Sequence, residues 1–264
     1  MDKQFAEQLE KGIALMEAGD YGGAAGVFRR CVELVPANPE GHFSLGIALI
    51  EQGKLEEAAK CYEAGLRLTP EDSDELTALG DIYFELGRHK EAIAAYKKVI
   101  DLKPKESDGY VSIGLVYNSM ERVDDAIKAF NTALELDPKN VFAYNALGDA
   151  WYGLGEQDKA IAAFKKGVEL DPEDAACHFN LGDLYYDLEE FDAAEKECLE
   201  AIRLDPSFTL AYLTLGNLYL DEERIGDARR YFELYLKKEK SPQAADMVAE
   251  VKAVVEGLKE ELKK

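Results

Sequence analysis

Glycine recurs at Gly12, Gly46, Gly80, Gly114, Gly148, Gly182 and Gly216, a constant interval of 34 residues held seven times. A period of this length, kept over most of a chain, restricts the fold to one supersecondary unit stacked on copies of itself. The rest of the unit keeps step. Alanine stands twelve residues after each glycine, at Ala24, Ala58, Ala92, Ala126, Ala160, Ala194 and Ala228. Four residues further on comes a ring in six units, Phe28, Tyr62, Tyr96, Phe130, Phe164 and Phe232, with Cys198 in the remaining one. Bulky residues follow each glycine by three, at Leu15, Leu49, Tyr83, Tyr117, Trp151, Tyr185 and Tyr219. Proline closes six units at Pro36, Pro70, Pro104, Pro138, Pro172 and Pro206.

The stretch 140–172 shows what the unit is. Two apolar patterns at helical spacing, Phe142-Tyr144-Leu147-Trp151 and Ala160-Phe164-Val168, lie on either side of Gly155 and stop at Pro172. That reads as helix, turn, helix, stop. Gly148 and Ala160 let the two backbones approach closely, while Trp151 and Phe164 fill the space beside that contact. A hairpin apolar on more than one face cannot bury itself alone and needs its neighbours.

The order of bulky residue, Leu-Gly, Tyr, Ala, Phe and Pro over 34 residues resembles the tetratricopeptide repeat family, across about residues 5–242. The resemblance implies an all-α fold: a right-handed α-solenoid of seven antiparallel helix pairs, with units starting at 5, 39, 73, 107, 141, 175 and 209. First helices, near 39–52, 73–86, 107–120, 141–154, 175–188 and 209–222, would line a concave face. The ends depart from the pattern. In the first unit, Gln8 and Lys11 replace large apolar residues, and Gly22, Gly23 and Gly26 crowd the second helix. Each interior glycine costs about 0.8–1 kcal/mol relative to alanine, so this hairpin is expected to be the least stable. At the other end Lys240 replaces the closing proline, and Ser241-Pro242 reads as the N-cap and first turn of a capping helix over 242–264, helical to about 262. Its stripe of Ala244, Val248, Val251, Val255, Leu258 and Leu262 suits either a cap on the last hairpin or a helix-pairing seam for dimerisation.

Charge narrows the partners. Thirty-one basic against fifty-three acidic side chains leave a formal charge of −22, the wrong sign for nucleic acid or an anionic membrane. A protein or peptide partner of basic or amphipathic character is expected instead. No apolar run has signal-peptide or membrane-span length, which points to the cytoplasm. Cys31, Cys61, Cys177 and Cys198 form no C-x-x-C pair and are expected to be reduced and mostly buried.

Nothing in the chain assembles catalytic chemistry. Walker-type, H-E-x-x-H and G-x-S-x-G motifs are missing, and no cofactor or metal is expected. His42 and His178 stand four before their glycines, where other units carry Leu76, Tyr110, Tyr144 and Tyr212, and read as packing residues. His89 opens a second helix and is expected to be exposed. Asp183 and Asp187 lie on a straight helix, which does not converge the six to eight oxygens that calcium takes.

From residue 39 onward the six first helices contain no lysine or arginine. They carry acids instead: Asp81, Asp149 and Asp183 one residue after their glycines, and Glu51, Glu85, Asp187 and Asp221 five after. Spacing of four puts Asp81 with Glu85, and Asp183 with Asp187, on one helix face. Exposed acids also suit plain solvated surface. Set among amides and rings, they favour a groove for a cationic, partly apolar segment. The expected contacts are Phe43, Asp81, Glu85, Phe142, Asn145, Asp149, Tyr152, Phe179, Asn180, Asp183, Tyr186 and Asn217. The carboxylate clamp of some family members is not expected, because its basic slots hold Leu9, Phe43, Asp74, Asp108 and Ala146. Asn145, Asn180 and Asn217 occupy different slots and make no continuous ladder. A non-catalytic interaction scaffold is the reading this favours; the alternative is a self-assembling scaffold, in which the final helix or the first hairpin docks into the groove of another copy.

Overall fold

The computed structural model describes residues 3–261, and among them every regular element is helical. First and second helices alternate: α1 (Lys3–Glu17) with α2 (Tyr21–Leu34), α3 (Pro39–Ile50) with α4 (Leu55–Leu66), α5 (Ser73–Glu85) with α6 (His89–Leu102), and α7 (Asp108–Ser119) with α8 (Val123–Leu136). Then come α9 (Val141–Gly153) with α10 (Gln157–Leu170), α11 (Ala175–Asp187) with α12 (Phe191–Leu204), and α13 (Thr209–Asp221) with α14 (Ile225–Lys238). A 3₁₀ turn (Pro242–Ala244) leads into α15 (Ala245–Glu261). The chain divides into two compact units, parting between Pro138 and Lys139. Within each unit a first helix packs on its own second helix, and that second helix on the next first helix.

The recurring glycine sits where a ring from the second helix presses on the first. A Cβ added at Gly148 would lie 2.4 Å from Phe164 Cε1, and one at Gly12 only 2.3 Å from Phe28 Cε1. In the sixth hairpin the Cys198 thiol takes the ring's place, 2.7 Å from the same point at Gly182.

Each hairpin turns through the same hydrogen-bonded stop. In the first, the Gly19 N–H donates to Met16 O and the Asp20 N–H to Leu15 O, a Schellman motif that all seven hairpins repeat. Its left-handed position is glycine in four turns, Gly19, Gly53, Gly87 and Gly155, but glutamate in three: Glu121, Glu189 and Glu223, with φ of 59°, 59° and 60°. First helices open on side-chain caps that follow the closing proline by two, namely Asn38, Asp72, Asn140 and Asp174. The slot four before the glycine ties helix to loop: His42 Nε2 lies 3.0 Å from the Pro36 carbonyl oxygen, His178 Nε2 3.2 Å from that of Pro172, and the Tyr212 hydroxyl donates to that of Pro206 at 3.1 Å. A carbonyl only accepts, so each histidine holds a proton on Nε2. His178 is buried, and its Nδ1 lies 2.7 Å from a carboxylate oxygen of buried Glu197.

Two expectations need correcting here. His89 is half-buried, because its ring lies 6.1 Å from that of Phe84 at the end of the helix before the turn. The stripe of α15 is not free for a dimer seam: Val251, Val255 and Leu258 are buried in one cluster with Phe232 and Tyr235 of α14. Leu262, the last residue of that expected stripe, lies outside the described residues.

Candidate protein-binding face

On a first helix each residue advances about 100°. Positions one and five after the glycine, and six and two before it, therefore gather on one strip turned away from the second helix. In the second unit, α11 packs against α9 and α13 as well as α12, so these strips lie side by side. Hydrogen bonds stitch them together. The Tyr152 hydroxyl donates to Asp187, the Tyr186 hydroxyl to Asp221 at 2.8 Å, and the Thr214 hydroxyl to Asp183 at 2.9 Å.

No lysine or arginine among the described residues neutralises these acids. Among the described residues, Asp149, Asp183, Asp187 and Asp221 take part in no ion pair, and Asp149 has no hydrogen-bond donor either. Asp149 is exposed at its rim, yet the protein around its carboxylate removes enough water to push its pKa up to about 6. Asp183 is also pushed up by burial, and the Thr214 hydroxyl works against that shift. Burial first, and then the bond to Asp221, raises Tyr186 to about 12. Beside these groups Phe142 stands 77% exposed and Leu210 49% exposed, both six before their glycines. Asn180 and Asn217 are half-buried, with no side-chain hydrogen bond among the described residues.

The first unit presents a different strip. Asp81 accepts a 2.6 Å bond from the Tyr96 hydroxyl; burial raises its pKa and that bond lowers it. Glu85 is exposed one turn on. The same slot as Asp81 holds Ile13, Ile47 and Leu115, exposed by 46%, 44% and 43%. Sequence reasoning passed over these three because it followed charge; their place one residue after the recurring glycine was the available signal.

Three expected contact residues turn out to be packing. Phe43 is buried, its ring 5.6 Å from Tyr62 and covering Gly65. Asn145 occupies the same slot, three before its glycine, and lies against Gly167 while its Nδ2 donates to Cys177 Sγ at 3.0 Å. Its Oδ1 is buried without a donor among the described residues. Phe179, again in that slot, is half-buried against Phe208, with ring centroids 5.0 Å apart. Three residues back is only about 60° from the glycine around the helix, so this slot points at the neighbouring second helix or the next repeat.

Paired helices of fixed period, small residues at each crossing and a strip of unneutralised acids define a helical-repeat interaction protein. The chain belongs to the tetratricopeptide repeat family. Models described as tetratricopeptide repeat match residues 9–73, 43–107 and 175–208, and one described as TPR repeat matches 114–155 and 148–189, together more than half of the chain. Among solved structures it is similar to the MamA protein, at 27% identity over 66% of this chain and 96% of that one, with a TM-score of 0.59. A tetratricopeptide repeat protein from Parabacteroides merdae aligns at 20% identity over 97% of this chain and 99% of that one, with a TM-score of 0.75. Yeast Tom70 aligns at 19% identity over 98% of this chain and 58% of that one, with a TM-score of 0.78. These last two likenesses show the fold alone. No curated protein matches the chain. Membership makes it a protein–protein interaction scaffold of a non-catalytic family whose members bind protein partners. Among the described residues no helix is long and apolar enough to cross a membrane, and no three His, Cys, Asp or Glu side chains gather to hold a metal ion.

Proposed function

We propose that the seven helix pairs over residues 5–242, capped by the helix that follows, serve protein binding, and that the first-helix strips of each unit hold a basic, amphipathic segment of another protein. One observation carries this reading: Asp149, Asp183, Asp187 and Asp221 share adjoining strips without a basic partner, next to the bare ring of Phe142. Like charges so placed repel, and a desolvated carboxylate gains most from an incoming cation. Lysine or arginine of the partner would meet Asp149 and Asp183, and an apolar side chain would cover Phe142. In the first unit Asp81 and Glu85 offer the same charge among exposed Ile47 and Leu115, a drier strip that suits apolar side chains around a single cation.

Selection of peptides from a randomised display library on the full chain tests the reading. Enrichment of lysine or arginine together with aliphatic or aromatic residues is expected. Selected peptides should weaken at least tenfold on D149N/D183N/D187N, and weaken as salt rises. Enrichment of acidic sequences, or unchanged binding by the triple variant, refutes it.

A further inference from the structure

The outer side of the first unit carries two clefts that the first-helix reading does not use. One opens between α4 and α6 over Leu76, Leu79 and Tyr83, with a volume of about 340 Å³. The other opens between α6 and α8 over Tyr110, Ile113 and Tyr117, with about 500 Å³. Their linings correspond one repeat apart, so Ala95 on the wall of the first becomes Ala129 on the wall of the second.

In the second unit the same wall position is Ala163 in α10, but in α12 and α14 it is filled by the chain itself. In α12 it is Glu197, which is buried against His178. In α14 it is Tyr231, three repeats after Ala129. Tyr231 lies against Tyr212 and Tyr219, with ring centroids 6.3 and 5.2 Å away, and the Arg230 guanidinium carbon is 5.7 Å from its centre. Each of these has a counterpart in the second cleft: Tyr110 for Tyr212, Tyr117 for Tyr219, Lys128 for Arg230, and Ala129 for Tyr231 itself. The second cleft is thus the Tyr231 site with its ring removed.

We propose that this cleft is a docking site for an aromatic side chain of a partner protein, carried next to an aspartate or glutamate. The ring would pack between Tyr110 and Tyr117 as Tyr231 does between their counterparts, with the Lys128 ammonium near its face. Two aspartates also line the cleft: Asp125 is held by Lys128 at 3.6 Å and by Arg122, and Asp101 stands one turn along from Lys97. The acidic neighbour is called for by Lys97, the lysine of the lining with no ion-pair partner among the described residues. A lysine left unpaired in this way favours an anion, and the charge of Asp101 one turn away keeps the expected preference small. The site is separate from the first-helix strips and does not rest on the function proposed for them.

The test uses 4-methylphenol, the tyrosine side chain as a free molecule, titrated into the full chain while amide resonances are followed. Saturable shifts are expected at Tyr110, Tyr117 and Ala129, unaffected by D149N/D183N. Ala129→Tyr, which restores the ring seen at Tyr231, should abolish them and leave the thermal midpoint unchanged or higher; Ala129→Leu serves if that variant does not fold. A short peptide with glutamate beside tyrosine should bind about threefold more tightly than one with lysine there, and K97E should erase the difference. Shifts absent from the cleft, or persisting in the filled variant, overturn the aromatic site. Equal affinity for the two peptides overturns the acidic neighbour.

Discussion

Asp149 holds a charge that the folded chain would be more stable without, and D149N removes it at nearly constant volume. Burial raises its pKa from the ordinary 3.8 to about 6. Fully expressed, that difference corresponds to about 3 kcal/mol at neutral pH. The residue is exposed at its rim, so solvent screening reduces the expected effect to about 1 kcal/mol. The sign follows from proton linkage. Above about pH 6 the group is ionised in both states, and only the folded state bears the cost. Between the folded and unfolded pKa values the folded state takes up the proton, and the cost disappears. D149N should therefore stabilise the chain by about 1 kcal/mol at pH 7.5, a shift of about 0.5 M in urea midpoint, and by only about 0.2 kcal/mol at pH 4. Trp151, the single tryptophan, lies two residues away and reports unfolding locally by fluorescence. A variant no more stable at pH 7.5, or equally stabilised at both pH values, would refute the claim that this carboxylate is held desolvated with nothing to compensate it.

Other perturbations probe the framework. Glu121→Gly, Glu189→Gly and Glu223→Gly should each stabilise by about 0.5–1 kcal/mol in thermal melts, because the left-handed backbone is unfavourable for a residue with a Cβ. Gly148→Ala should cost about 2 kcal/mol through its clash with the Phe164 ring, and Phe164→Leu in the same chain should recover part of that loss in denaturant titrations. His178→Leu leaves Glu197 buried with only Lys196 beside it, and should cost about 3 kcal/mol, read as loss of amide-exchange protection in α11 and α12. Tyr152→Phe removes a single exposed hydrogen bond to Asp187, and should change stability by less than about 0.5 kcal/mol.

What the sequence determined by itself is the repeating hairpin. Gly148, Ala160 and Phe164 lie within one 34-residue unit, so their contact follows from helical periodicity and a short turn, and it recurs wherever the pattern does. The shortage of cations on the first helices was legible for the same reason, since it depends only on which residues a helix contains. Tertiary structure alone decided which way borderline slots face. Phe43, Asn145 and Phe179 read as lining of a groove, but Phe43 and Asn145 are covered by their own second helices, Asn145 also by Cys177 and Phe179 by Phe208 of the repeats that follow. Helical spacing does not say how far each ring or amide leans toward those neighbours. The Tyr152–Asp187 and Tyr186–Asp221 bonds cross between repeats and depend on how adjoining helices are staggered. The cleft beside Ala129 exists only because a side chain that fills the same place at Tyr231 is missing there, and a missing side chain becomes a cavity only once its surroundings are packed.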